Sequence, residues 1–143
     1  MIYGITTGFS AFALLLPAPS TYAFEGFFAP VNMSTVTAVV WNTVKAGQAV
    51  PFKWFLTHDG TPVSDAASFA GLSSYPVACS SGSGSIDDAI EQTAAGNSGL
   101  QYLGNGNWQY NWQTLLSYKG TCRAVVVKFS DGTTSPPASF KFK

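Results

Sequence analysis

Alternation of apolar and polar side chains is the clearest pattern in this chain. Between positions 108 and 113 aromatic rings alternate with amide side chains, and between 50 and 56 nearly every second residue is large and apolar. A period of two is typical of a strand that buries one face. Pro51 has no backbone donor, so we expect it at a sheet edge or at the start of its strand. The pattern predicts two half-buried strands, 50–56 and 108–113.

Turn residues divide the rest of the chain into further short strands. The sequence Gly104-Asn105-Gly106-Asn107 separates segment 100–103 from strand 108–113, and Asn-Gly favours a primed hairpin turn. Residues 123–129 are apolar on both faces, which predicts a central strand. Segment 138–143 alternates Phe with Lys, and the two prolines before it predict an edge strand.

Two segments have weaker patterns. One more strand is expected within residues 35–44, and the best helix candidate, of about two turns, covers residues 86–93. Short strands separated by Gly, Asn, Asp and Ser turns indicate an all-β fold. We predict an immunoglobulin-like antiparallel β-sandwich after an N-terminal signal segment. The term describes architecture only, because the usual spacing of a core Trp between two Cys residues is not met.

The first 23 residues predict a signal peptide. No charged side chain occurs before Glu25, and residues 9–16 form an apolar run of eight. Pro17 and Pro19 break a helix, and Thr21-Tyr22-Ala23 offers small residues at the −3 and −1 positions of a cleavage site. The run is shorter than the roughly 20 apolar residues that span a bilayer. We expect cleavage after Ala23 and a single domain over 24–143; an uncleaved N-terminal anchor is the alternative.

Export would place the two cysteines in an oxidising compartment. Cys79 and Cys122 are the two cysteines of the chain, and in an oxidising compartment an even number indicates a disulfide. Two single cysteines more than 40 residues apart lack the paired short spacing of a zinc site. Two buried free thiols are the alternative.

Charge excludes one class of function. Seven Lys and Arg balance seven Asp and Glu, and only 10% of the residues are charged. A nucleic-acid binder needs a basic field that a net charge of zero does not provide. We therefore expect no nucleic-acid partner.

One stretch of ten residues is Lys45-Ala46-Gly47-Gln48-Ala49-Val50-Pro51-Phe52-Lys53-Trp54. It resembles the signature of a known family, the PxKF domain of bacterial secreted proteins; Pro51 and Lys53 match, and Trp54 stands where the family usually has Phe. Order and spacing continue the resemblance from about Phe27 to the C-terminus. The further matching motifs are Tyr75-Pro76-Val77-Ala78-Cys79, Asp88-Ala89-Ile90-Glu91, Ala95-Gly96-Asn97-Ser98-Gly99-Leu100-Gln101-Tyr102, Tyr110-Asn111-Trp112-Gln113-Thr114, Gly120-Thr121-Cys122-Arg123 and Phe140-Lys141-Phe142.

The resemblance implies export and a sandwich fold in which Cys79 and Cys122 pair. The family typically forms an accessory module at the C-terminal end of longer exported proteins. The resemblance does not indicate a biochemical activity.

Side chains that could carry chemistry are few. His58 is the single histidine of the sequence and stands beside Asp59 on a predicted turn, where solvated turn residues are a simpler interpretation than a general-base pair. Asp87, Asp88 and Glu91 form an acidic cluster without the repeated spacing of a calcium loop. We assign no catalytic residue, no metal ligand and no cofactor.

The aromatic residues allow two interpretations. Trp41, Trp54, Trp108, Tyr110 and Trp112 could form a flat platform that stacks against sugars, with Trp108, Tyr110 and Trp112 as its binding surface. Their alternation with Gln and Asn instead favours a place in the core.

The function expected from the sequence is that of a secreted, non-catalytic structural or interaction module, self-assembling or associated with the cell surface. Low charge and strand edges suit packing with copies of itself or with an extracellular polymer. Contact with a membrane is expected only through the signal segment. The alternative function is a carbohydrate-binding module that uses exposed aromatic residues.

Overall fold

The computed structural model describes residues 21–35, 37–92 and 99–143, and in them two β-sheets pack face to face. The strands, in chain order, are β1 (Tyr22–Gly26), β2 (Trp41–Val44), β3 (Ala49–His58), β4 (Thr61–Pro62), β5 (Phe69–Val77), β6 (Ile90–Glu91), β7 (Leu100–Gly104), β8 (Asn107–Gln113), β9 (Cys122–Phe129) and β10 (Ala138–Phe142). Short 3-10 turns lie at Ala66–Ser68, Ile86–Asp88 and Leu116–Tyr118.

The strand order confirms the predicted all-β sandwich. One sheet has the order β2-β10-β9-β5-β6, and the other has the order β1-β3-β8-β7 with β4 paired to β3. Every pair is antiparallel except β2 with β10, which run parallel. The first sheet is therefore mixed, which the sequence did not predict.

Strand β3 shows why the alternating pattern predicted the fold. Its inward side chains, Val50, Phe52, Trp54 and Leu56, are all buried, and the residues between them face outward and are half-buried. Strand β1 pairs with β3 only from residue 54 to residue 58, whereas β8 pairs with it along residues 49–55. Pro51 therefore lies near the start of β3, where β1 does not flank the strand.

Strand β8 places its aromatic rings in the core between the sheets. Trp108, Tyr110 and Trp112 are 2%, 8% and 0% exposed. The ring centroid of Trp112 lies 5.5 Å from that of Phe140 and 6.0 Å from that of Phe52, so its ring packs between the two sheets. The core interpretation is confirmed for these three side chains, and the exposed platform is wrong for them.

The hairpin turn predicted at 104–107 and the turn predicted at 58–60 both form where left-handed backbone is needed. Asp59 and Gly60 have φ values of 53° and 80° between β3 and β4, and Asn105 and Gly106 have 52° and 85° between β7 and β8. Two successive residues with positive φ define the primed turn that matches strand twist. Asn, Asp and Gly tolerate this conformation best, so local chemistry was enough to place these turns.

Two sequence predictions are wrong. Strand β10 is not an edge strand, since β2 pairs with its second side; Pro136 and Pro137 precede the strand and remove no donor from it. Segment 86–93 is not a helix. The chain makes only the turn Ile86–Asp88, becomes extended at Ala89 and then enters β6; residue 93 lies outside the described residues.

The first strand overlaps the predicted signal segment. Tyr22 begins β1 and pairs with His58, while its N–H donates to Asp131 Oδ2 at 2.8 Å. Cleavage after Ala23 would remove two of the five residues of β1. The apolar run of the predicted signal lies outside the described residues, so the signal peptide and the domain boundary at residue 24 stay predictions. The expected strand within 35–44 is confirmed as β2, Trp41–Val44.

Burial of Trp112 makes a direct prediction about stability. We expect Trp112→Ala to leave a cavity and to lower the free energy of unfolding by about 3–5 kcal/mol. Asn111→Ala, which changes the neighbouring outward position, should cost less than about 0.5 kcal/mol. Urea denaturation of both variants measures the difference, and a Trp112→Ala variant as stable as the unchanged protein would contradict the core assignment.

Candidate functional site

The disulfide predicted from the cysteine count is present between Cys79 and Cys122. It ties the connection after β5 to the start of β9, with 5.3 Å between the two Cα atoms. Cys122 belongs to a second apolar cluster, together with Tyr75, Val77, Ala124 and Val126. This cluster explains why β9 is apolar on both faces: Val125 and Val127 belong to the main core, while Ala124 and Val126 belong to the second cluster.

The residues of the resembled family motif are mainly structural. Trp54 is 1% exposed and stacks on Phe69, with ring centroids 5.8 Å apart. Pro51 and Lys53 are half-buried on the outer face of β3, and the carbonyl of Lys53 accepts a hydrogen bond from Phe28 N–H at 2.9 Å. The motif therefore fixes β3 and the segment beside it.

His58 and Asp59 lie on the predicted turn, and both side chains are exposed. His58 Nε2 is 3.9 Å from Asp59 Oδ2, and the ring centroids of His58 and Tyr22 lie 5.6 Å apart with their planes at 75°. Asp87 and Asp88 lie in the 3-10 turn before β6, which contains Glu91. Among the described residues, no group of three or more His, Cys, Asp or Glu side chains is placed to hold a metal ion.

The edge of the first sheet at β2 is covered by a preceding segment of the chain. Asn42 is buried, and its amide Nδ2 donates to Asn32 O at 2.8 Å and to Ser139 O at 3.0 Å. Its Oδ1 accepts from Asn32 N–H at 2.7 Å. Beside it, the ring of Trp41 is half-buried and has the Nζ of Lys141 5.5 Å from its centroid.

One end of the sandwich carries a surface that the sequence did not reveal. We name it the lysine end and define it by Lys45, Leu115, Leu116, Lys119 and Lys143. Leu115 and Leu116 are 49% and 77% exposed. Leu116 and the three lysines line one groove of about 430 Å³. Apolar and cationic side chains thus form one continuous surface.

The turn that carries Leu116 is fixed by hydrogen bonds and ring contacts. Tyr118 N–H donates to Leu115 O at 3.0 Å, and the Tyr118 hydroxyl donates to Gln92 Oε1 at 3.0 Å. The guanidinium carbon of Arg123 lies 4.6 Å from the centroid of the Tyr118 ring. A Cβ atom at residue 47 would lie 2.7 Å from Leu116 Cδ2, which is too close for a normal contact. Because Gly47 has no Cβ, the Leu116 side chain can lie against the loop that contains Gly47.

The opposite end of the sandwich is acidic. We name it the aspartate end and define it by Asp59, Asp65 and Asp131. Strand β3 starts beside the lysine end and runs to His58, so its ten residues separate the two ends. Beside Asp59 and Asp65 a cleft of about 460 Å³ is lined by Tyr22, His58, Thr61, Pro62, Val63 and Ser64.

Hydrogen bonds hold the Asp131 carboxylate in its ionised form. Desolvation by burial opposes ionisation, but the Thr133 hydroxyl, Tyr22 N–H and Thr133 N–H all donate to Asp131 and together lower its pKa below the ordinary value. Asp65 Oδ1 likewise accepts from Ala67 N–H at 2.9 Å. These contacts fix the two carboxylates on well-ordered turns.

The chain matches no protein-family model and no curated protein. No helix in the described part of the chain is long and apolar enough to cross a membrane. The functional argument therefore starts from the disulfide, the buried aromatic core and the two charged ends.

The disulfide should contribute measurably to stability. Replacing both cysteines by Ala frees an interval of 43 residues in the unfolded chain, and loop-closure entropy sets an upper estimate of about 4 kcal/mol for the loss. The urea midpoint of the unreduced double variant should match that of the unchanged protein after reduction. An unreduced variant with the midpoint of the unreduced, unchanged protein would contradict a stabilising role.

Proposed function

We propose that this protein is a secreted, non-catalytic structural or interaction module similar to the PxKF domain, which self-assembles or associates with a cell surface. The disulfide supports an oxidising compartment, because such bonds persist outside the cytosol. The resemblance to the PxKF signature around Pro51, Lys53 and Trp54 supports export.

The observation that carries the proposal is the lysine end. Single exposed apolar residues are ordinary, but Leu115 and Leu116 are adjacent, and Leu116 shares its groove with three lysines. Burying a Leu side chain is worth about 1.5–3 kcal/mol. Because the turn is already ordered, little conformational entropy is lost when a partner covers these side chains. The lysine end is therefore suited to binding another macromolecule.

The aromatic residues give less support to the alternative, a carbohydrate-binding module. Sugar stacking needs exposed ring faces, and Trp108, Tyr110 and Trp112 are buried. Trp41 is more accessible, but Lys141 lies over its ring. The lysine end carries the proposal instead of these rings.

Replacing both leucines by serine tests the proposal. The Leu115→Ser, Leu116→Ser double variant removes the apolar part of the lysine end, so binding should weaken at least tenfold, a change of about 1.4 kcal/mol. Its melting midpoint should stay close to that of the unchanged protein, because both side chains are exposed. Association is measured by sedimentation velocity, and surface binding by retention on cell-wall polysaccharide and on intact cells.

Ile90→Thr is the matched control, since Ile90 is 57% exposed on edge strand β6 and lines neither the lysine groove nor the aspartate cleft. It should behave as the unchanged protein does in every assay. The proposal fails if the unchanged protein neither associates nor is retained, or if the double serine variant binds equally well.

A further inference from the structure

We propose that the lysine end of one copy docks on the aspartate end of the next, so that the protein assembles head to tail. This inference rests on the proposed function and names its partner as a second copy of the chain. The positive and negative side chains of the sequence are equal in number. They are not evenly distributed, because lysines gather at one end of the sandwich and aspartates at the other.

The charged groups at the two ends are complementary. Lys45, Lys119 and Lys143 line the groove at one end, and Asp59, Asp65 and Asp131 lie on turns at the other. Lys128 lies near the aspartate end, one residue before the end of β9, and His58 lines the cleft itself. Asp87 and Asp88 lie beside β6, at the far edge of the first sheet. The aspartate end thus keeps an excess of negative charge.

Distance keeps the two ends electrostatically separate within one molecule. Strand β3 has ten residues, and at roughly 3.3 Å per residue it spans about 33 Å. This is several times the Debye length of about 8 Å at physiological ionic strength. Neither end is therefore neutralised by the other end of its own chain, and each can attract the opposite end of another copy.

The lysine end offers an exposed apolar side chain, and the aspartate end offers a cleft. Leu116 has 77% of its surface exposed, with its Cδ2 methyl lying over Gly47. The aspartate end offers a cleft of about 460 Å³ whose lining includes Tyr22, Pro62 and Val63. An apolar side chain that enters a pocket elsewhere on an identical molecule makes a heterologous contact. Such a contact leaves one free end of each kind, so it produces open chains or closed rings.

A symmetric contact between two lysine ends is less favourable. It would bring six ammonium groups together, and juxtaposed like charges oppose association. An anionic membrane is the other macromolecule that could bind leucines among lysines. The observation that favours a second copy is the matching acidic cleft on this same chain.

Two variants with altered charge at one end test the arrangement. The first, Lys45→Glu with Lys119→Glu, reverses the lysine end. The second, Asp59→Asn with Asp65→Asn, removes two of the three carboxylates of the aspartate end, suits the left-handed backbone at residue 59 and keeps an oxygen at residue 65 to accept from Ala67 N–H. Each variant alone should remain monomeric in sedimentation velocity at concentrations where the unchanged protein associates.

Mixing the two variants gives the decisive result. In a 1:1 mixture the unaltered aspartate end of the first variant meets the unaltered lysine end of the second, so a heterodimer should form. Association of the unchanged protein should weaken at least tenfold between 50 and 500 mM NaCl, because salt screens exposed charges. Asp87→Lys with Asp88→Lys, at two residues that line neither the lysine groove nor the aspartate cleft, is the control and should associate as the unchanged protein does.

Several results would overturn the inference. The mixture could remain monomeric, or the second variant alone could associate normally. Binding of the unchanged protein to vesicles of phosphatidylcholine and phosphatidylglycerol, lost only in the first variant and without self-association, would assign the lysine end to a membrane. Retention on cell-wall polysaccharide without self-association would overturn the inference and leave the proposed function standing. Absence of every interaction would overturn both.

Discussion

A core built from indole and phenol rings has to supply a hydrogen-bond acceptor for each buried ring donor. The side-chain amide of Gln92 is the acceptor for two of these donors. Its Oε1 accepts from Trp112 Nε1–H and from the Tyr118 hydroxyl, each at 3.0 Å. Its backbone N–H donates to Leu72 O at 2.8 Å, which holds the residue beside β5. One half-buried amide thus joins an edge of the first sheet to the centre of the core.

The same amide connects the core to the candidate functional surface. Tyr118 is the last residue of the 3-10 turn that begins at Leu116, so the hydrogen bond to Gln92 fixes the turn that presents the exposed leucines. Arg123 lies over the Tyr118 ring and donates from Nε to Ser74 Oγ at 2.8 Å. A preorganised turn loses less entropy when it binds. Under the proposed function, the polar contacts inside the sandwich would thus set how rigidly the lysine end is presented to a partner.

Sequence patterns predicted the features that depend on neighbouring residues. Along β3 and β8, the apolar residues of the alternating pattern are the buried ones. Asp59-Gly60 and Asn105-Gly106 are residue types that adopt the left-handed backbone of their turns. The helix predicted over 86–93 does not form. Gln92 instead accepts hydrogen bonds from Trp112 and Tyr118, which lie 20 and 26 residues later in the chain and which a local pattern does not reveal. The edge assignment of β10 failed because its second neighbour, β2, comes from a distant part of the sequence. The lysine end combines positions 45, 115–119 and 143, which no local pattern connects.

A double-mutant cycle on Gln92 and Tyr118 tests this account most directly. Gln92→Ala leaves two buried donors without an acceptor and should lower the free energy of unfolding by about 2–4 kcal/mol. Tyr118→Phe removes only the hydroxyl, so in that background Gln92→Ala should cost about 1 kcal/mol less. Urea denaturation of the four proteins measures this coupling. Costs that add to within about 0.3 kcal/mol would contradict the central role of the Gln92 amide.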